Sequence, residues 1–513
     1  MSIMTRIQEP PIPGKYRFLG FDKTPIQWLI LIAGPLLYFL MIALPLGGTV
    51  TNRGGLGIVV WAAWYWGTGI VPTGYTILIP ILGSAFLPGM DWGVITKTLI
   101  HPGLGMLLGP ALIVCMWCRW GFTRRMALFF LKHVGTSVRA QAVAWLILSA
   151  SVSFVTANVV IAIAFTPIAL EVLKSVGYDT SKKLMKSKSA MLIILAVCIG
   201  ASLGGFLTPM AGGQAVITWA QLGDTLGYSV PMASYTSLLA LPVFLSIIPV
   251  VFLFWKVFPI DVKNFEGSQT FFVEELKKMG AVTKSEKLGV YLFFFAVSLP
   301  FLQPLWMPYL PKGLNPAPAL IFTVITCILA ILPAPDAGAY GKQVEYHQGE
   351  RLLSLNAFRV LPLQAFLLWP TAMSIAALVN ITGASKLMGN FMGNYWDMPA
   401  YTGVGLFVLF CVILAQPASD TGAAGMLAPT VAAATVHAGV NPIPWLLMMG
   451  YSVNFSFMIP CATGTLALSI ALGGKTHWRL PVYGAACAFV CGLVSWLFWG
   501  TVMHYNLTFW QYF

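Results

Sequence analysis

The most constraining feature of this chain is a run of apolar residues too short for what its flanks demand. Basic residues cluster at Arg119 to Arg139, Lys174 to Lys188, Lys256 to Lys287 and Lys342 to Arg359, and in a membrane protein such clusters belong to the cytoplasmic side. Only about 34 residues separate Arg139 from Lys174, fewer than the roughly 40 plus a turn that two complete crossings take. A segment that leaves and returns on one side without room to cross twice must fold back within the bilayer. The expectation is a re-entrant hairpin over 140–174, two half-length helices with a tip at Val155 to Val159. Irregular backbone at that depth survives only where protein buries it or a wet cavity borders it, so the tip marks a candidate binding site. Tyr401 to His437 repeats the pattern, with Asp420 its one acidic or basic residue before His437. The flanks of this second hairpin, 402–437, carry few basic residues, and counting crossings puts its base outside.

The bilayer itself is read from composition. Hydrophobic residues fill 58% of the 513 positions and charged ones 9%, against about 45–50% and 25% in soluble domains. The fold class expected is an all-α polytopic membrane protein, with about 11 transmembrane helices plus two re-entrant hairpins in an inverted repeat. Residues 1–24 form a basic cytoplasmic N-terminus, and Ile26 to Leu46 is too long for a signal-peptide core and shows no small-residue cleavage site, so it reads as an anchor. Residues 25–118 supply scaffold helices and 119–231 a first transport half, with its hairpin and a broken helix over 189–222. More scaffold follows over 232–334, including a cytoplasmic loop at 256–287, and then a second cytoplasmic loop over 335–360. The second half, 361–513, holds the other hairpin, a broken helix over 442–472 and a last span over 480–503. This order leaves the C-terminus outside and suits a bacterial inner membrane.

Several function classes fall away. The formal charge of +13 follows from Lys and Arg in loops, so no nucleic-acid partner is expected. Eight cysteines are scattered, and the close pair Cys115 and Cys118 has no second pair or histidines beside it, which argues for buried thiols rather than a zinc or redox site. None of the six histidines sits beside a serine or cysteine in sequence, and Gly-x-Ser-x-Gly and His-Glu-x-x-His are missing, so an intramembrane enzyme is not expected. A channel would draw its filter from several subunits, whereas this chain repeats itself.

That repeat is visible in residues. Asn158 precedes Pro167 by nine positions, and Asp420 precedes Pro429 by nine. Phe206-Leu-Thr-Pro209-Met-Ala211-Gly-Gly213 matches Phe457-Met-Ile-Pro460-Cys-Ala462-Thr-Gly464 at four of eight places. Two copies on opposite sides of the membrane make an inverted repeat, the architecture of carriers that open alternately around a midplane site. The plainer reading of such small residues and prolines is helix packing.

The motifs in this order resemble those of the divalent anion/sodium symporters. The first tip, Ala157-Asn158-Val159, is similar to that family's Ser-Asn-Thr with both hydroxyls lost; the second, Ser419-Asp420-Thr421, keeps the hydroxyls and exchanges the amide for an acid. Trp66-Gly-Thr68-Gly-Ile-Val-Pro72 through Pro80 resembles the family's Trp-x-Thr-Glu-Ala-Ile-Pro run with Gly69 in place of the glutamate, and Gly121-Phe-Thr-Arg124-Arg125 resembles its Gly-x-x-Arg-Arg segment. At the breaks, the family's Gly-Thr-Pro-Pro-Asn becomes Ala211-Gly212-Gly213-Gln214-Ala215 and Ala462-Thr463-Gly464-Thr465-Leu466. The resemblance implies a homodimeric carrier that takes a small anionic substrate across the lipid bilayer with sodium as coupling ion and no other cofactor. By it, Ser153, Ala157, Asn158 and Ala211 would line one sodium site and Ala418, Asp420 and Ala462 the other, and substrate would meet Asn158, Gly212, Gly213, Ser419, Thr421, Thr463 and Gly464. Small dicarboxylates and sulfonates both suit a site whose hydroxyls sit at one tip. Asp420 accommodates either sodium or a proton, and exchange of one anion for another stays open beside symport.

Overall fold

The computed structural model describes residues 16–18, 21–71, 73–90, 92–99, 103–228, 230–311, 318–335, 351–353, 363–391, 398–459, 462–466 and 479–508. Apart from a two-stranded antiparallel ribbon, Tyr16–Phe18 with Phe21–Lys23, regular structure among these residues is helical. Five of the helices are long and apolar enough to cross a membrane alone: Pro25–Ala43, Asn158–Ser175, Met232–Val257, Ala400–Ala418 and Leu480–His504. Two bent pairs, Gly105–Arg119 with Phe122–Leu131 at 73° and Lys284–Phe301 with Gln303–Tyr309 at 68°, each add the length of one span. Others, such as Lys188–Gly204 and Phe366–Ile381, are apolar but shorter. The chain is an all-α polytopic membrane protein. Outward faces carry bare apolar side chains such as Ile248, Phe244, Leu241 and Phe489, which a soluble protein would bury and a lipid-facing helix displays.

Two helix pairs dominate the interior. Val138–Ser153 turns over four residues into Asn158–Ser175, and Ala400–Ala418 turns through Ser419 into Asp420–His437. Each pair is followed by an interrupted helix. Lys188–Gly204 gives way to irregular backbone before Gly213–Leu226, and Pro442–Val453 gives way to irregular backbone before helix resumes at Gly464. Part of the expected 442–472 helix, at 460–461 and 467–472, lies outside the described residues, as does most of the loop over 335–360.

The first pair lies on its interrupted helix with almost nothing between. A Cβ built on Gly200 would come within 2.2 Å of the Leu146 carbonyl oxygen, and one on Gly204 within 2.0 Å of that of Ala150. Only glycine permits such an approach of two helix backbones.

The basic segments gather at one end of the bundle. Arg124 donates to Glu171 (2.5 Å) and Glu275 (2.7 Å), and Arg125 to Glu286 (3.0 Å). Glu286 also closes a capping box with Thr283. Arg139 donates to the carbonyls of Trp255 and Phe258, Asp261 accepts from the N–H groups of Lys188 and Ser189, and Trp120 Nε1 donates to the Leu352 carbonyl at 2.9 Å. All four basic stretches are thereby represented on one face. The described cysteines are free thiols, and the expectation that all are buried fails for Cys118 and Cys327, which are exposed.

Candidate functional site

The turn that joins each helix pair is anchored to the break that follows it by a matching backbone bond. Asn158 N–H donates to the Ala211 carbonyl at 2.7 Å, and Asp420 N–H donates to the Ala462 carbonyl at 3.1 Å. In each tip the side chain of that first helical residue folds back on the next N–H: Asn158 Oδ1 accepts from Val159 N–H (2.7 Å), and Asp420 Oδ1 from Thr421 N–H (2.6 Å) and the Thr421 hydroxyl (3.2 Å). This follows from helix geometry, since the first N–H groups of a helix have no internal acceptor and Asn or Asp supplies one.

The tips also cross over to the opposite half. A Cβ on Gly213 would lie 2.5 Å from Thr421 Oγ1, and a Cβ on Gly464 would lie 2.7 Å from Val159 Cγ2. Those four positions are related by the same repeat register that pairs Asn158 with Asp420 and Pro209 with Pro460, so the contact is made twice. Asn158, Ser419, Asp420, Thr421 and Thr463 are buried, as are Ser153, Ala157, Ala211, Ala418 and Ala462, while Gly213, Gly464 and Val159 keep partial access. Gly212 is buried, its missing Cβ filled by the Gln214 side chain at 2.7 Å. All thirteen site positions singled out from the sequence therefore lie in or beside two tips and two breaks that touch one another.

Hydroxyls stabilise the irregular backbone. Ser153 Oγ donates to the Ala201 carbonyl (2.6 Å), Thr208 Oγ1 to that of Phe154 (2.7 Å) and Ser456 Oγ to that of Ala462 (3.3 Å). Gln416 donates to the Phe455 carbonyl and accepts from Met458 N–H. Such bonds replace the helical partners that a break removes, an obligation that is strict in a nonpolar interior. No Lys or Arg pairs with Asp420 among the described residues; its partners there are Thr421 and the Ala462 carbonyl. Sequence reading passed over Thr208, Gln416 and Ser456, whose signal was a polar residue inside an apolar run beside a break.

Each tip also leans on a helix from the first 119 residues. Thr156 Oγ1 donates to the Pro110 carbonyl (3.3 Å), and the Trp66 ring covers Gly422, where a Cβ would fall 2.7 Å away. Trp66 opens the motif over 66–80 and is fixed by its own bond to Thr76 (3.1 Å). Gly69 ends that helix at φ 59°, ψ 18°, a left-handed cap that favours glycine and would strain a glutamate, which accounts for the departure from the symporter pattern.

The model of the CitMHS family, described as citrate transporter, matches residues 56–450. The chain belongs to the CitMHS family. Among curated proteins, this CitMHS member is similar to the sodium-dependent dicarboxylate transporter SdcS of Staphylococcus saprophyticus, 22% identical over 457 residues that cover 87% of this chain and 86% of that one. It is likewise similar to SdcS of Staphylococcus aureus USA300, 23% identical over 463 residues, 87% and 85% of the two chains. In fold it is similar to the YdaH transporter of Alcanivorax borkumensis, with a TM-score of 0.50 at 12% identity over 88% of this chain and 99% of that one. The chain is a divergent member of the divalent anion/sodium symporter group, a secondary transporter and not an enzyme.

Proposed function

We propose that this CitMHS member imports a small organic dianion of the dicarboxylate type, coupled to sodium, by elevator-type alternating access. The observation that carries the reading is the doubled crossing of tips and breaks, in which each tip bonds its own break and touches the other. A solute at that crossing meets helix N-termini whose dipole ends favour negative charge, and loosened carbonyls that favour a cation. The dicarboxylate named as the substrate of the SdcS proteins fits a site with hydroxyls at Ser419, Thr421 and Thr463 and an apolar side at Ala157 and Val159.

In this reading Ala157, Asn158, Ser153 and the Ala211 carbonyl hold one sodium, and Ala418, Asp420 and the Ala462 carbonyl hold the other. Substrate meets Asn158, Gly212, Gly213, Ser419, Thr421, Thr463 and Gly464. A buried carboxylate without a basic partner repels an anion beside it, so the cation enters first and the dianion second. The hairpins and interrupted helices move together past a scaffold made of the spans before Arg119 and of 232–334, in a homodimer, with the N-terminus and the basic face in the cytoplasm and the C-terminus outside.

The absence of a basic partner among the described residues supports a second reading, in which Asp420 carries a proton through part of the cycle. The test replaces Asp420 with Asn and measures dicarboxylate uptake into liposomes under sodium and proton gradients imposed separately. Loss of sodium dependence supports sodium at Asp420, loss of proton dependence supports the second reading, and unchanged dependence on both removes Asp420 from coupling.

A further inference from the structure

Between the two breaks, away from the tips, lies a buried polar knot. Ser202, Gln214, Asn454 and Thr465 are all essentially inaccessible. Gln214 Nε2 donates to Asn454 Oδ1 at 2.7 Å, Asn454 Nδ2 donates to the Ser202 carbonyl at 3.0 Å, and the Ser202 and Thr465 hydroxyls are bonded at 2.9 Å. The first limb of each interrupted helix is thereby tied to the second limb of the other. Asn454 also joins the two first limbs. The knot is not repeated within itself, because Leu203 stands where the register would put a second Asn454, and Val453 where it would put a second Ser202.

Each end of the knot abuts a residue placed at the substrate. Gln214 fills the space at Gly212, its Oε1 2.7 Å from where a Cβ would be. Thr465 Oγ1 bonds Thr463 Oγ1 at 2.9 Å, and Thr463 Oγ1 in turn accepts from Leu466 N–H at 3.1 Å. A displacement of Ala462 or Ala211 by a bound cation would thus reach the opposite break through four side chains whose bonds are satisfied. In a dry interior such a network resists partial rupture, because any partner left alone bears its full desolvation cost.

We propose that Gln214 and Asn454 are positioning residues that couple the two breaks, so that sodium bound at one raises the affinity of the site for the dianion. The proposal rests on the sodium-symport reading above. A purely structural role would lower stability or maximal rate and leave coupling alone; a coupling role changes how much sodium improves substrate affinity.

The experiment uses the full chain in liposomes with succinate as the probe dicarboxylate. The apparent KM for succinate is measured at low and saturating sodium, and the ratio of the two is the coupling factor. For Asn454→Ala and Gln214→Ala the factor is expected to fall about tenfold, with the limiting KM at low sodium little changed. Ser202→Ala, which loses the Thr465 bond but keeps its own carbonyl for Asn454, is expected to lower it less and guards against a misfolded Asn454 variant. The pair exchange Gln214→Asn with Asn454→Gln restores the amide bond and is expected to recover part of the factor. An unchanged factor in variants that melt like the parent overturns the proposal and leaves the symport reading standing. No sodium-dependent succinate uptake by the parent overturns the symport reading, and the coupling role falls with it.

Discussion

At the first tip the chain spends four residues, Phe154 to Ala157, on its turn, and Ala157 rests at φ −53°, ψ 119°. At the second a single residue does the work, and Ser419 is held at φ 64°, ψ 159°. That conformation is essentially reserved for glycine and costs on the order of 1–3 kcal/mol elsewhere. Ser419 bears it while its hydroxyl caps Gly422 N–H at 3.2 Å. The two tips nonetheless present their first helical N–H to the same place, a break carbonyl. What a repeat preserves is the backbone bond, and what it leaves free is side-chain chemistry, amide at one tip and carboxylate at the other.

The contrast extends to packing. By the register that pairs Pro209 with Pro460, Gly200 and Gly204 correspond to Tyr451 and Phe455. One half is pressed backbone on backbone, the other spaced by rings, with Tyr451 and Phe455 edge to face at 4.8 Å.

The sharpest way to break the comparison is at the acid. Under the sodium reading the ion and Asp420 form a buried charged pair, and removing one member costs about 3–5 kcal/mol, where about 1.4 kcal/mol is tenfold. Asp420→Asn is therefore expected to lower sodium-driven uptake by at least about a hundredfold, and adding Asn158→Asp to exchange the tips is not expected to restore it, because only Ser419 provides the second geometry. Liposome uptake of the single and double variants measures both. Next in size, Phe455→Ala should cost about 3–5 kcal/mol through an unfilled cavity, whereas Gly204→Ala should cost about 1–3 kcal/mol through crowding. Thermal unfolding in detergent compares them, and equal tolerance of an alanine at both positions would erase the packing difference.

How much of this was legible beforehand depends on range. The membrane class followed from composition, and Asn158 and Asp420 stood out as polar residues in apolar runs at matching distances from proline. The crossing of Thr421 with Gly213 and of Val159 with Gly464 had no such trace, because a contact between residues some 200–300 positions apart leaves no periodicity in a single chain. The positive φ of Ser419 was hidden for a different reason, since sequence rules reserve that region for glycine. Gln214 stands in the motif at the first break, and its partner Asn454, just past the end of Pro442–Val453, carries no signal of its own, because an amide in an apolar run looks the same whether it packs or bridges.

Smaller effects refine the picture. Ser419→Gly releases the strain but loses the cap, so the net change should stay within about 1 kcal/mol, while Ala157→Gly, with no strain to release, should cost roughly 0.5–1 kcal/mol. Melting temperatures of the pair decide whether the tips differ in stored strain. Smallest is an effect away from both tips. The hydrogen bond from Lys278, with Arg124 beside it, holds the Glu275 carboxyl below its ordinary range, so its share of stability is present at neutral pH and vanishes only as pH falls below that range. Lys278 is exposed, so the share is small. A melting curve at neutral pH and another at about pH 3, below the ordinary Glu range, should differ less for Lys278→Ala than for the parent.

The seam at Gly200 and Gly204 has one more consequence. Two helices that meet through bare peptide groups leave no space for a file of water molecules, so protons and small ions have no route along that joint. A carrier that must avoid dissipating the gradient it consumes gains a watertight wall there at the cost of two missing side chains.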